Sequence, residues 1–420
     1  MQKFFRSTVM ALCFAAVIAI TPMALAAGPA APPKHPFSME AFKSISSSGS
    51  LKHLSVSRLS ASTQAAAQGA ANAQQTTIRS VPTFNGSFTF QGQAFPYTML
   101  GHRPQAGGTT SIPTSYLAIS YFFDEYVDQN GNNIVIDATA NTDTILNGPE
   151  FERFGYTSGF TQFADAVQRA EFFNVMRKSR DGDHDGDDAW HTLLERPHQF
   201  KPVTVEVPAG SSVLFQAPDG QLMALIDINF LNSQLNTLVQ TEDIHVDELP
   251  IFVTRNSVYG DFAGFDTPAD CCVGGFHTAF EAKQVGNTVF VQTFAFATSL
   301  DNAVANDFFG DPGLFGDVNA LSHEISETFN DPFVNNVVPA WQSPGLPPGS
   351  CQNVLETGDP VENLPVDYFP VTIDGFLYHP QTEALLQWFS RETPSSAFGG
   401  DYSYPGNNLT SPSQACPVSQ

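Results

Sequence analysis

The strongest constraint in the sequence is a segment of helical length that is bounded by clear start and stop signals. It runs over residues 316–332, where Asp317 is a favourable N-cap and Pro332 stops a helix, so we expect one helix at about 318–330. Its apolar side chains recur at helical spacing and predict a face that packs against a core: Val318, Leu321, Ile325 and Phe329. The sequence therefore predicts a helix anchored in a folded domain.

The same helix carries a His-Glu-x-x-Glu motif. His323 and Glu327 are i,i+4 neighbours, so their side chains can reach one cation, and imidazole and carboxylate are both zinc ligands. Glu324 lies beside this pair, where a zinc hydrolase places the general base that takes a proton from the attacking water. The alternative is a solvent-exposed acidic helix face with no metal.

A third ligand must come from another part of the chain. Glu356 is the first choice, and Asp359 is either an alternative ligand or a hydrogen-bond partner that orients His323. His379 and His277 are further candidates, as ligands or as donors that stabilise an oxyanion. The alternative for residues 357–360 is a simple turn, and the alternative for both histidines is a structural role.

A second acidic cluster resembles the start of a calcium loop. Aspartates occupy positions 1, 3 and 5 and Gly186 occupies position 6, but position 12 is Thr192 in place of glutamate. The candidate Ca²⁺ ligands are Asp181, Asp183, Asp185 and Asp187. A solvated acidic loop is the alternative.

The N-terminal 80 residues divide into two parts. Residues 1–26 have basic residues, a short apolar run and a small-residue cleavage site, which predict a secretory signal peptide and an extracellular or periplasmic protein. Residues 27–80 are rich in Ala, Ser and Gln and predict a mobile leader, which is either a prosegment or a plain linker. Residues 81–420 are predicted to form a single domain.

The cysteines agree with an oxidising compartment. The chain has 5 cysteines, of which one lies in the predicted signal peptide. Because a bond between adjacent cysteines would strain the backbone, two pairings remain: Cys271–Cys351 with Cys272–Cys416, or Cys271–Cys416 with Cys272–Cys351. A zinc–thiolate site is the rival interpretation.

Hydrophobic periodicity predicts a mixed α/β fold, with β-sheet packed against helices. The predicted strands are 117–123, 134–136, 203–207, 222–228, 251–254 and 289–296. The predicted helices are 160–176, 231–240, 318–330 and 380–390.

Charge excludes several partners. The chain has 42 acidic and 18 basic residues and a net charge of −24, so binding to nucleic acid or to an anionic membrane surface is not expected. No apolar run after the signal is long enough to span a bilayer, and no Gly-x-Ser-x-Gly elbow or phosphate-binding loop is present.

The motifs together resemble a group of secreted bacterial proteins and, more distantly, the plant EXORDIUM or phosphate-induced family. The resemblance covers about residues 117–388 and is carried by 163–170, by His-Glu-Ile-Ser-Glu at 323–327, by Asn330-Asp331-Pro332, and by Leu-Glu-Thr-Gly-Asp at 355–359. It implies a zincin-like metalloprotease core of mixed sheet and active-site helix, and the plant relatives are cell-wall proteins.

Two functions follow as expectations. The first is a secreted zinc-dependent hydrolase, a metallopeptidase in which His323, Glu327 and Glu356 bind Zn²⁺ and Glu324 is the general base. Its partner would be a peptide or cell-wall substrate. The second is a non-catalytic extracellular or cell-wall binding protein on the same scaffold.

Overall fold

The computed structural model describes residues 33–46, 56–69, 76–176, 189–197, 199–262, 270–344, 351–362 and 364–416. Its α-helices are α1 Met39–Ser46, α2 Ala61–Ala67, α3 Thr142–Leu146, α4 Phe163–Glu171, α5 Ile228–Thr241, α6 Asn302–Phe309, α7 Asn319–Asn330 and α8 Leu386–Ser390. Short 3₁₀ turns cover Pro104–Ala106, Ala138–Asn141 and Phe398–Gly400.

The strands of the first half are β1 Phe37–Ser38, β2 Val56–Arg58, β3 Thr77–Arg79, β4 Thr83–Phe90, β5 Gln93–Leu100, β6 Thr109–Ile112, β7 Thr114–Val127, β8 Asn133–Ile136, β9 Phe154–Tyr156, β10 Gly159–Thr161, β11 His191–Leu194 and β12 Gln199–Val207. Those of the second half are β13 Ser212–Gln216, β14 Leu222–Asp227, β15 Leu249–Arg255, β16 Ser257–Asp261, β17 Asp270–Val273, β18 Gly275–Val285, β19 Thr288–Ser299, β20 Val337–Gln342, β21 Cys351–Val354, β22 Val371–Ile373, β23 Phe376–Tyr378, β24 Glu383–Ala384 and β25 Ser403–Tyr404.

The largest sheet is mixed and has eight strands. Its order is β12-β7-β15-β19-β18-β2, with β8 paired to β7 and β3 paired to β19. The neighbours β12, β7, β15 and β19 run parallel, and β18 turns back antiparallel to β19. A mixed sheet with helices confirms the predicted α/β class, and each predicted strand overlaps a strand of the structure.

Strand β7 shows why this sheet lies in the interior. Tyr116 and Ala118 face the core that contains α7, whereas Leu117 and Ile119 face the core that contains α5. A strand that is apolar on both faces must be covered on both sides, because each face would otherwise leave apolar surface in water. The sheet therefore separates two hydrophobic cores, and α7 lies on one of them.

Two predicted helices begin later than expected. Helix α4 starts at Phe163, because residues 159–161 pair with β9 as the strand β10. Helix α8 starts at Leu386, because residues 383–384 pair with β25. In both cases, strand pairing takes up residues that the periodicity alone assigned to a helix.

No helix of the described chain is both long and apolar enough to cross a membrane.

The disulfides differ from both predicted pairings. Cys351 bonds Cys416 across a Cα separation of 6.0 Å, and Cys271 bonds its neighbour Cys272. The reason is spatial: β17 buries the adjacent pair in the core with α7, whereas Cys351 begins β21, beside the strand β20 that Cys416 contacts. With these four cysteines paired, the alternative of a zinc–thiolate site does not apply to them.

The described parts of the predicted leader are built into the fold. Strand β1 pairs with β13, β2 pairs with β18 and β3 pairs with β19. Phe42 of α1 is fully buried against Phe215, Phe308 and Phe309, at ring separations of 5.2 to 5.5 Å. This differs from the mobile segment expected from the composition. The predicted signal peptide lies outside the described residues.

Candidate metal centre

Helix α7 is buried along its whole length, from Asn319 to Asn330. It packs on β18, β19 and α4, and Leu321, Ile325 and Phe329 join the core beneath the sheet. The alternative of a solvent-exposed acidic face is therefore wrong, and His323, Glu324 and Glu327 are all fully buried.

The start of the helix differs from the prediction. Val318 occupies the N-cap position, and the Asp317 carboxylate accepts hydrogen bonds from the backbone N–H of Val318 and of His379. The His379 imidazole also lies 2.7 Å from Asp317 Oδ2 through Nδ1. His379 therefore links its loop to the start of α7, and it belongs to neither of the two groups of described side chains that could hold a metal.

His323, Glu327 and Asp359 form the first of these groups. His323 Nε2 lies 3.1 Å from Glu327 Oε1 and 3.8 Å from Asp359 Oδ1. The potential ligand atoms of the three residues are all within 4.8 Å of one another. Asp359, which the sequence analysis kept as an alternative ligand, is thus placed beside the helix motif.

His277 of β18 forms a second group with Glu324 and Glu327. Its Nδ1 lies 3.5 Å from Glu324 Oε2 and 3.4 Å from Glu327 Oε2. Glu356 Oε2 is 3.9 Å from the same nitrogen. The first-choice third ligand, Glu356, is therefore brought to the cluster, but its nearest imidazole is His277.

Two glycines allow the backbone to pass close to the side chains of the cluster. A Cβ atom on Gly358 would lie 2.2 Å from His323 Nδ1, and a Cβ on Gly275 would lie 2.6 Å from Glu324 Cγ. Gly358 also donates its backbone N–H to Glu327 Oε1 at 3.1 Å. Both positions thus need glycine because the backbone passes directly against a buried side chain of the cluster.

The outer nitrogen of each histidine is held by an acceptor. Gln381 Nε2 donates to the Gly358 carbonyl at 2.8 Å, which fixes the amide so that Oε1 accepts from His323 Nδ1 at 3.1 Å. His277 Nε2 donates to the backbone carbonyl of Asp331 at 3.1 Å. In the neutral imidazoles, His323 Nε2 and His277 Nδ1 therefore carry lone pairs that point at the carboxylates.

Two residues that support the histidines are not among the predicted site residues: Gln381, and Asp331, which contributes only to the family resemblance. Asp331 accepts the backbone N–H groups of Asn335 and Asn336 at 2.9 and 3.0 Å, which closes the turn after α7 and presents its own carbonyl to His277. The Asn330-Asp331-Pro332 motif was the only feature of the sequence that pointed to Asp331. No such feature pointed to Gln381, because its contacts depend on how distant loops meet.

The electrostatics of the cluster favour positive charge. Burial alone lowers the pKa of His277, but Glu324 and Glu327 overcome it and raise the pKa to about 10. Burial also lowers the pKa of His323, and Glu327 more than reverses this. Burial raises the pKa of Glu327, yet the two imidazoles hold it well below its ordinary value. A bound cation would replace the imidazole protons.

The pKa values of Glu356 and Glu383 are shifted in the opposite direction from that of Glu327, upwards. Burial, followed by the charges of Glu327 and Asp359, raises the pKa of Glu356 well above its ordinary value. Burial raises the pKa of Glu383 likewise, although the charge of His323 opposes the shift. Glu383 lies on β24, and no motif of the sequence marks it as a site residue. The cluster therefore contains more carboxylates than two imidazoles can balance.

The residues present fit a metal ion. Ligands of a tetrahedral zinc ion at about 2.1 Å are about 3.4 Å apart, and the His–Glu distances of 3.1, 3.4 and 3.5 Å lie close to that value. Glu327 Oε2 and Glu356 Oε2 are buried and accept no hydrogen bond within the described part of the chain. These buried groups could hold a metal ion.

The calcium-loop aspartates Asp181, Asp183, Asp185 and Asp187 lie outside the described residues.

Comparisons of the chain with family models, with curated proteins and with solved structures returned no match. The resemblance to the EXORDIUM family and the zincin-like core stay predictions.

Proposed function

We propose that this protein is a secreted zinc-dependent hydrolase that acts on peptides. The observation that carries the proposal is the convergence of His323, Glu327 and Asp359 in one buried group, with Glu324 on the same helix. An imidazole and two carboxylates are a donor set that suits zinc.

The roles follow from position. His323, Glu327 and Asp359 would hold the cation, which would supply a Lewis acid to polarise a carbonyl group and to acidify water. Glu324 is the general base, because it follows His323 directly on α7 and its carboxylate reaches the region between His277 and Glu327. His277 restrains the Glu324 carboxylate through their 3.5 Å contact.

The test combines metal content with turnover. Elemental analysis of the purified chain should find at least one equivalent of zinc, and a broad peptide pool should be cleaved. Glu324→Gln should lower the rate by about 10²–10⁴-fold while the fold is retained. Glu206→Gln, on the exposed face of β12, is the matched control and should leave the rate unchanged. A folded protein without metal and without turnover would exclude the proposal.

A second candidate is a non-catalytic wall or surface protein with a structural metal. The observation that favours it is the complete burial of His323, Glu324 and Glu327. A structural site is closed, whereas a catalytic site keeps an open position for water or substrate. Zinc that stays bound in the absence of any turnover, in wild type and in Glu324→Gln alike, would favour this candidate.

A further inference from the structure

The two carboxylate oxygens of Glu327 face different histidines. Oε1 lies 3.1 Å from His323 Nε2, and Oε2 lies 3.4 Å from His277 Nδ1. A carboxylate that uses one oxygen for each of two neighbouring centres is a bridging ligand, and such bridges occur where two metal ions lie about 3.5–4 Å apart. The orientation of Glu327 is fixed by the Gly358 N–H, which donates to Oε1 at 3.1 Å.

The histidines fall into separate ligand groups. One group contains His323, Glu327 and Asp359, and the other contains His277, Glu324 and Glu327. Within the described residues, no group of atoms closer than 4.8 Å contains both imidazoles. One tetrahedral ion needs its ligands about 3.4 Å apart, so a single ion does not account for both histidines.

Each histidine nevertheless has the hydrogen bond that usually orients a metal-binding imidazole. The Gln381 amide oxygen accepts from His323 Nδ1, and the Asp331 carbonyl accepts from His277 Nε2. A hydrogen bond from the outer nitrogen is the usual way to fix the tautomer and ring orientation of a metal-binding imidazole. His277 therefore has the same arrangement as the histidine of the helix motif.

The charge of the cluster also supports two bound cations. Glu324, Glu327, Glu356 and Asp359 surround two imidazoles, and none of the four carboxylates is exposed. Among the described residues, Glu327 and Glu356 form ion pairs with histidine only, and neither meets a lysine or an arginine. Buried carboxylates need compensating charge. Two divalent cations would balance these four carboxylates with both imidazoles neutral, and Glu383 belongs to neither of the two ligand groups of the described residues.

We propose that this cluster is a two-cation centre in which Glu327 bridges a divalent transition-metal ion held by His323 and Asp359 to a second one held by His277 and Glu324. The inference rests on the proposed function for the first ion and adds the second. It also changes one role: Glu324 becomes a ligand of the second ion. Glu356 Oε2 lies 3.9 Å from His277 Nδ1 and accepts no hydrogen bond in the described part of the chain, so it is a further carboxylate beside the second ion.

The experiment measures metal stoichiometry. The full chain is stripped with a chelator, reloaded with Co²⁺ or Zn²⁺, and analysed by elemental analysis and native mass spectrometry. Wild type should bind two equivalents. His277→Ala and Glu324→Gln should each bind one, and Glu327→Gln should bind less than one. The matched control is Glu171→Gln, a buried glutamate on α4 whose carboxylate accepts the Leu386 N–H, and it should still bind two.

A second measurement does not depend on the folding of variants. Wild type loaded with Mn²⁺ should give an exchange-coupled electron paramagnetic resonance spectrum, because a carboxylate bridge couples the two spins. One equivalent in wild type, an uncoupled spectrum, and unchanged metal content in Glu324→Gln would overturn the second ion and leave the proposed hydrolase intact. No bound metal in a folded wild type would overturn both.

Discussion

Gln381 Oε1 accepts a hydrogen bond from His323 Nδ1 at 3.1 Å and thereby directs the other ring nitrogen at Glu327 and Asp359. The same side chain donates to the Gly358 carbonyl at 2.8 Å. One amide therefore links the imidazole of α7 to the loop that carries Glu356 and Asp359. Its contacts fix the relative position of ligands that are far apart in sequence.

Replacement of Gln381 by alanine should weaken metal binding by about 10–100-fold, because His323 loses the acceptor that fixes its tautomer and orientation. A competition titration with a chromophoric chelator measures the change. Gln387→Ala is the control, since Gln387 donates to the Glu171 carbonyl and not to the cluster. Equal affinities in the two variants would show that Gln381 does not orient the ligand.

Gly358→Ala should lower both metal affinity and stability. The new Cβ would lie 2.2 Å from His323 Nδ1, so the loop or the imidazole must move, and such overpacking costs about 1–3 kcal/mol. Urea unfolding and the chelator titration measure the two effects. At Gly155 a Cβ meets nothing within 4 Å, so Gly155→Ala should change neither quantity. A fully stable Gly358→Ala variant with unchanged affinity would contradict the packing described above.

Phe42→Ala should destabilise the protein strongly, although the residue lies in the segment that composition predicts to be mobile. Phe42 is 0% exposed and packs edge-on against Phe215, Phe308 and Phe309. Removal of a buried phenylalanine costs about 3–5 kcal/mol. Phe37 is 49% exposed, so Phe37→Ala should cost about 1 kcal/mol or less. If the denaturation midpoints of the two variants coincide, α1 does not belong to the core.

Glu171→Gln should change the pH dependence of stability. Burial raises the pKa of Glu171 from 4.5 to about 8 in the folded protein, although the Leu386 N–H opposes the shift. The folded state therefore binds this proton more tightly than the unfolded state, and wild type loses stability as the pH rises from about 4.5 to about 8. Glutamine keeps an acceptor for the Leu386 N–H and does not titrate.

The stability of Glu171→Gln relative to wild type should thus increase across that pH range and level off above it, by on the order of a few kcal/mol. Denaturation curves at several pH values measure the difference. Glu206→Gln, at an exposed position, should give a flat difference over the same range. A flat difference for Glu171→Gln as well would mean that Glu171 is ionised in the folded protein without cost.

Much of the fold could be predicted because it follows from local patterns. The apolar run at 117–123 and the helix at 318–330 are both found, as β7 and α7, since periodicity reports which faces are buried. The disulfide partners could not be predicted, because pairing depends on which strands lie side by side. The described parts of the leader differ from the composition-based expectation for a similar reason, because a few residues such as Phe42 pack into a core formed by distant parts of the chain.

For the candidate site, the sequence by itself determined that His323, Glu324 and Glu327 share a helix, because the spacing of residues along an α-helix fixes which side chains are neighbours. Only the tertiary structure decided that His277 meets two of these glutamates, and that Asp359 lies nearer His323 while Glu356 lies nearer His277. Those contacts depend on the docking of β18 and of the loop after β21 against α7. Sequence spacing contains no information on that docking, because the contacts join separate elements through packing and strand pairing.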